Sequence, residues 1–214
     1  MTTLITTPGT KEVLTTRRWG DASASMARGL SEYIETLVAE EEGGRPISFA
    51  TVLHEYADRK LPRPEGGNPD AAWPPYPRAV VVQSAACALS MDMGSGKFIA
   101  ALDSNGTRLR QLGEMSVTLL VVVSCIGAPQ RRATAALLEA GLAPVDWTSG
   151  LRLALDHYHG VHAGYSLMEI AVADDATSAA QGERVLSVQV AAACPRIQVL
   201  TAPEGIFQIE ADVE

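Results

Sequence analysis

Aromatic residues are scarce in this chain of 214 residues: Phe, Trp and Tyr together make up 5%. A platform of stacked rings for single-stranded nucleic acid is therefore not expected. Basic residues are outnumbered, 17 Lys and Arg against 25 Asp and Glu, for a formal net charge of −8. That balance argues against a free-standing binder that grips phosphate backbones through a basic face, although nucleic acid can still pass by without being held. Long apolar runs are missing too. The longest, Val117 to Val123 with Thr118 inside it, falls far short of the roughly 20 residues a bilayer helix needs. The start, MTTLITTPGTKEV, lacks a basic leader followed by an apolar core, so no secretory signal is expected. Cysteine is down to Cys87, Cys125 and Cys194, an odd count in apolar settings. These read as buried reduced thiols, since a reactive thiolate wants an electropositive, accessible setting.

Catalytic frames are equally thin. Gly94-Ser95-Gly96-Lys97 looks like a phosphate loop, but Met91 stands where the first glycine belongs and Phe98 where a Ser or Thr should reach magnesium. It reads as a hairpin turn. No serine lies in a Gly-x-Ser-x-Gly elbow. Asp156, His157, His159 and His162 form the only metal-like cluster. A zinc site needs three or four converging ligands, and His162 lies past Gly160, so structural or surface histidines are the expectation. Asp174-Asp175 sits at a loop mouth, where adjacent side chains of an extended chain diverge. No catalytic group, cofactor or metal is expected.

What is present is a core: 47% hydrophobic and 20% charged residues describe a globular chain. Residues 1–22 read as an extended arm, with seven Thr in the first sixteen positions and a break at Pro8-Gly9. Arg17, Arg18 and Trp19 close it, either as a solvated pair beside a packed Trp or as an anchor at a subunit contact. Met26, Leu30, Tyr33, Ile34, Leu37 and Val38 predict an amphipathic helix over 23–42, stopped by Gly43-Gly44. A short helix is predicted over 48–58. Residues 61–77 hold six prolines and read as a flap, in which Trp73 and Tyr76 have a packing or an interface role.

From residue 79 the pattern turns to β. Strands are predicted over 79–83, 87–91, 97–102 and 114–125, with a turn at Asn105-Gly106. The unbroken apolar middle of the fourth strand predicts burial on both faces, so Val121, Val122 and Val123 should all be covered, on one side by the helix carrying Leu137 and on the other either by the N-terminal helix or by a neighbouring subunit. A helix follows over 127–141, with Ala133, Ala136, Leu137 and Ala140 as its stripe and Gly141 as its stop. Residues 151–158 are ambiguous: the Leu151, Leu153, Leu155 alternation leans to a strand, whereas Thr148 and Ser149 as caps favour a helix. Gly160 and Gly164 bracket a turn, and 165–173 and 184–193 read as antiparallel strands. RIQVL and IFQIE form a β-prone extension over 196–214. The organisation is thus an arm (1–22), one α+β domain (23–195) with a mixed, mainly antiparallel sheet backed by helices, and a C-terminal extension.

Three stretches carry a resemblance. Ala72-Trp73-Pro74-Pro75-Tyr76-Pro77 leads into Ala79 to Val82. Leu112-Gly113-Glu114 leads into VTLLVVVSC, Arg131-Arg132 and the helix to Leu142. Tyr165 to Ala173 is followed by a "GER" turn and SVQVAAA. In pattern and order, over roughly residues 24–195, the chain resembles the tail terminator, or tail completion (neck), proteins of tailed bacteriophages. The resemblance implies a structural virion protein without cofactor, a homo-oligomer and usually a hexameric ring. Such a ring sits in the tail-neck region, at the head-proximal end of the tail tube. It stops tube polymerisation and meets the head connector proteins, while DNA passes through its lumen without specific binding and no membrane is involved. Candidate subunit or partner contacts are Arg17, Arg18, Trp19, Trp73, Tyr76, Asp174 and Asp175. The arm and extension exceed a minimal family member, which leaves open another neck, connector or baseplate subunit. A small cytosolic enzyme with a His-centred site is the reading from a different class.

Overall fold

A computed structural model describes residues 2–7, 10–15, 22–40, 46–54, 75–84, 88–91, 97–101, 108–143, 150–156, 158–174 and 182–200. The chain divides into two compact units. One comprises Met1–Gly20, Leu89–Glu114 and Pro195–Glu214, the other Asp21–Ala88 and Met115–Cys194. The predicted arm and extension fall in the first unit, but so does 89–114, which the sequence placed in the main domain. The reason is local pairing. Strand β8 (Lys97–Ala101) folds back on the start of β9 (Arg108–Ile126), with Lys97 opposite Gln111 and Ala101 opposite Arg108. In the same unit the Thr-rich arm forms the antiparallel pair of β1 (Thr2–Thr7) and β2 (Thr10–Thr15), with Thr7 opposite Thr10.

The second unit is the α+β body. Its strands run in the order β10 (Leu151–Leu155), β11 (Val161–Val172), β12 (Glu183–Leu200), β9, β6 (Arg78–Gln83), β5 (Val52–His54). β7 (Ala88–Met91), which belongs to the first unit from Leu89 on, also pairs with β9. The β10–β11, β11–β12 and β6–β9 pairs are antiparallel and β5–β6 is parallel, so the sheet is mixed and mainly antiparallel. Helix α1 (Ala22–Glu35) touches β5 and β6 at one end of this order and β10 at the other. Five spacings of about 4.8 Å would hold the outermost strands of a flat sheet about 24 Å apart. Leu155 of β10 lies against Gly29 of α1, and Arg28 and Glu32, within a turn of Gly29, act on His54 of β5. Both ends of the strand order thus reach one stretch of a helix only about 10–12 Å across, and the sheet curls around it. Helix α2 (Gly127–Leu142) covers β11 and the small hairpin of β3 (Val38–Glu40) and β4 (Pro46–Ser48).

The core lies inside this curl. Met26, Leu30 and Ile34 of α1, Val81 of β6, Leu119, Val121 and Val123 of β9, and Val188 and Val190 of β12 are all fully buried. Alternation along β9 is strict. Val117, Leu119, Val121, Val123 and Cys125 are buried, while Thr118, Leu120, Val122 and Ser124 are half-buried. Among the described residues, the expectation that β9 is covered on both faces therefore fails for the single chain: Thr134 of α2 stands beside Cys125, on the same odd-numbered face that α1 covers.

Other sequence expectations shift for identifiable reasons. The first helix ends at Glu35 rather than at 42, since Val38–Glu40 pairs with Pro46–Ser48 and leaves Val38 64% exposed. The helix predicted over 48–58 is absent from 48–54, and 55–58 lie outside the described residues. There Val52–His54 pairs in parallel with β6, and the Glu35 carboxylate accepts the Val52 N–H at 2.7 Å. A tertiary hydrogen bond and a sheet partner override a short, weak helical pattern. In α2 the buried face is Thr134, Leu137, Leu138 and Leu142, while Ala136 and Ala140 are exposed. The leucines bury more apolar area than the alanines, so they set the rotation. Gly164 lies inside β11 rather than at a turn, and β12 runs on through Pro195. β12 pairs with β11 as far as Ala193, two residues before Pro195, whose missing N–H that ladder does not need.

Two helical glycines mark close packing. A Cβ on Gly141 would lie 2.6 Å from Leu37 Cδ1, so this residue admits a neighbour and is not the predicted helix stop. A Cβ on Gly29 would lie 2.9 Å from Leu155 Cδ2 and 3.3 Å from Tyr165 Oη. Leu155 is fully buried and cannot retreat. Gly29→Ala gains up to about 1 kcal/mol of helix propensity but overpacks the core at a cost of about 1–3 kcal/mol. A net loss is expected, read as a lower urea midpoint.

Candidate functional site

Tyr76 and Asp174, two of the candidate contact residues, are drawn to the same end of the curled sheet. There β6 and β12 begin and β9 and β11 finish. Gly127 N donates to Gly182 O at 3.3 Å and closes this end locally.

On one side, Arg78 stacks its guanidinium 3.9 Å from the centre of the Tyr76 ring and pairs with Glu183 at 3.1 Å. Tyr76 Oη donates to the same Glu183 oxygen at 2.8 Å, and Arg78 Nη2 also contacts Tyr76 Oη. The ring is thus held from its face and from its hydroxyl. Arg suits this because its planar cation can stack and donate at once. Tyr76 packs inside its own chain through this cluster.

On the other side, Asp174 Oδ1 accepts the Val185 N–H at 2.7 Å. Its Oδ2 pairs with Arg131 at 2.6 Å and lies 3.9 Å from Arg184. Asp174 therefore ties the end of β11 to the start of β12 and to the second turn of α2. The Val185 N–H, more than the two arginines, holds its carboxyl below the usual carboxylate value. Around these residues stand three Arg (78, 131, 184) and two acids (174, 183), with Arg132 and Ile126 exposed beside them. The cluster holds one more cation than acid, in a chain of net charge −8.

Arg17, Arg18, Trp19, Trp73 and Asp175 lie outside the described residues, as do His157, Cys87 and residues 92–96. Glu183, Arg78, Arg131 and Arg184 were not singled out from sequence as contact residues. Glu183 and Arg78 meet across 105 residues, a separation that leaves no local pattern to read. His159 is exposed in a turn at φ 56°, its ring 5.8 Å from that of Tyr158. His162 is exposed on β11 opposite Ala154. Among the described residues no three His, Cys, Asp or Glu side chains converge as metal ligands.

Three further titratable groups are shaped by burial. Cys125 is fully buried, and desolvation pushes its thiol up, against a weaker pull from Thr134 beside it. The Thr134 hydroxyl itself is buried without a partner in hydrogen-bonding geometry, so the contact is too poor to offset burial. Such a thiol is a poor nucleophile. Tyr165 is likewise pushed up by burial, with Cys194 adding to the shift. His54 on β5 carries a buried Nδ1 with no hydrogen-bond partner. Burial and then Arg28 push its value below 6.5, against the opposing pull of Glu32 and Glu35.

Two separate acid limbs of stability follow. The folded state prefers neutral His54, so its contribution is complete above pH 6.5 and is lost as pH falls below that value, where the unfolded chain takes up the proton. Asp174 contributes fully above 3.8 and loses its contribution as pH falls through its lower folded value. Melting temperatures across a pH series are expected to show both limbs. His54→Gln should flatten the upper one and Asp174→Asn the lower one, each leaving the other in place.

No helix among the described residues is long and apolar enough to cross a membrane. No protein-family model matches the chain, and no curated protein matches it in sequence.

Proposed function

We propose that this chain is a structural virion protein. Copies of it form a ring, of six in the likeness, at the head-proximal end of a bacteriophage tail, where the ring ends tube polymerisation and meets the head connector. The observation that carries this reading is the one-sided sheet. Val80, Val82, Leu120 and Val122 form two cross-strand pairs on the face away from α1, all half-buried in the single chain. Apolar area of this kind favours association, as a ring subunit requires. The α+β body, with its hairpin, long strand and packing helix in the order of the resemblance, supports it further. The tied sheet end around Tyr76 and Asp174 is a rigid surface suited to a neighbour in the neck. DNA passes the lumen without specific contact.

The test is to add the purified chain to polymerising tail tube protein of the same virus. Shortened tubes closed at one end by a ring, in electron micrographs, are the expected result. Tubes of unchanged length, together with a strictly monomeric mass in solution, would sink the proposal.

A further inference from the structure

β10 covers only part of its neighbour. It pairs with Val161–Tyr165, whereas β11 runs to Val172. From Ser166 onward, β11 has β12 on one side and, among the described residues, no strand on the other. Ala173 N donates to Val185 O, and the register pairs Ala171 with Ser187 and Glu169 with Gln189. In an antiparallel pair, alternate residues direct both backbone groups at the neighbour. Glu169, Ala171 and Ala173 therefore face β12, and Ile170 and Val172 turn their N–H and C=O to the open edge. Their side chains are uncovered as well: Val172 is 64% exposed, Met168 in the bulge before them is 59% exposed, and Ile170 is half-buried. A bare edge of this kind is a template for another strand.

We infer that this edge binds the same edge of a second copy of the chain, antiparallel, with the two-fold axis at Ala171. The chemistry of the run selects that register. Centring on Ala171 sets Ile170 opposite Val172 of the second copy, and the converse. All the outward N–H and C=O groups of these two residues then meet partners, giving four hydrogen bonds. Ala171 faces itself in the close, non-hydrogen-bonded position, where a methyl group is readily accommodated. Glu169 faces Ala173. Centring on Glu169 instead would set two carboxylates directly opposite, which is destabilising. It would also set Ile170 opposite Met168, which lies in the bulge and interrupts the ladder. The interface is isologous, so it closes as a dimer. It is independent of the proposed ring, whose neighbours make head-to-tail contacts, and it applies to the free chain.

Cysteine cross-linking of the full chain tests the register. Non-hydrogen-bonded antiparallel partners sit about 4.5 Å apart at Cα, within disulfide reach. Ala171→Cys is expected to form a covalent dimer on mild oxidation, while Glu169→Cys and Ala173→Cys, displaced from the axis, stay single. The unsubstituted chain, run in parallel, reports any link through its own cysteines. By light scattering, the mass should double as concentration rises, and Val172→Pro, which removes an outward N–H that β12 does not use, should return it to one chain. Val172→Lys serves the same purpose should the proline variant not fold. An Ala171→Cys chain that stays single, equal linking at Glu169→Cys, or a Val172 variant with unchanged mass would each overturn the inference. Tube capping by a chain that never forms this dimer would leave the proposed function standing and remove only the edge pairing.

Discussion

Val121→Asp is expected to leave almost no folded protein, while its neighbour Val122→Asp still folds. The two residues are adjacent on β9 and chemically identical, so the comparison isolates the face. Val121 is fully buried between α1 and the strands that curl around it. A carboxylate there would be desolvated with no partner, costing several kcal/mol even after relaxation. Total stability of a domain is about 5–15 kcal/mol. Val122 lies opposite Val80 on the other face and is half-buried. Its carboxylate can stay hydrated, and the loss reduces to β-propensity and one cross-strand pair, about 1–2 kcal/mol together. Soluble yield and urea denaturation measure both. Equal damage from the two substitutions would show that the second face is as closed as the first. If ring neighbours cover that face, Val122→Asp should also fold without assembling.

The second large effect is expected at Tyr165. Its ring is buried in the core, and its hydroxyl donates to the Met26 carbonyl of α1 at 2.8 Å, across 139 residues. It shares its space with Gly29, whose missing Cβ leaves room for the hydroxyl. Tyr165→Ala should cost about 3–5 kcal/mol through the cavity, and Tyr165→Phe about 1 kcal/mol through the lost hydrogen bond. The same residue sets an alkaline limit. Its folded-state value is raised above 10.0, so the unfolded chain ionises first, and stability is lost as pH rises past 10. The Phe variant should lose that limb. A Tyr165→Ala chain that melts like the parent would mean that α1 is not seated on β11.

The element pattern of the body was legible in the sequence wherever one residue property repeated. The 3.6-residue spacing of Met26, Leu30 and Ile34 marked α1. The β-branched runs marked β6 and β9. Leu151, Leu153 and Leu155 alternated as a strand does. Periodicity records which side of an element meets apolar surroundings, so these readings and the α+β class survive in the structure. The segment over 48–54 was misread because its strand exists through β6 and Glu35, which are distant in sequence. Which face of β9 is covered depended on where the helices went, and hydrophobicity alone cannot distinguish a second covered face from an apolar face left half open. The curl of the sheet, the meeting of Tyr76 with Glu183, the three contacts of Asp174 and the bare edge of β11 were all decided by tertiary structure. Each depends on a register or on a contact between residues far apart in the chain, and composition and local spacing carry no information about either.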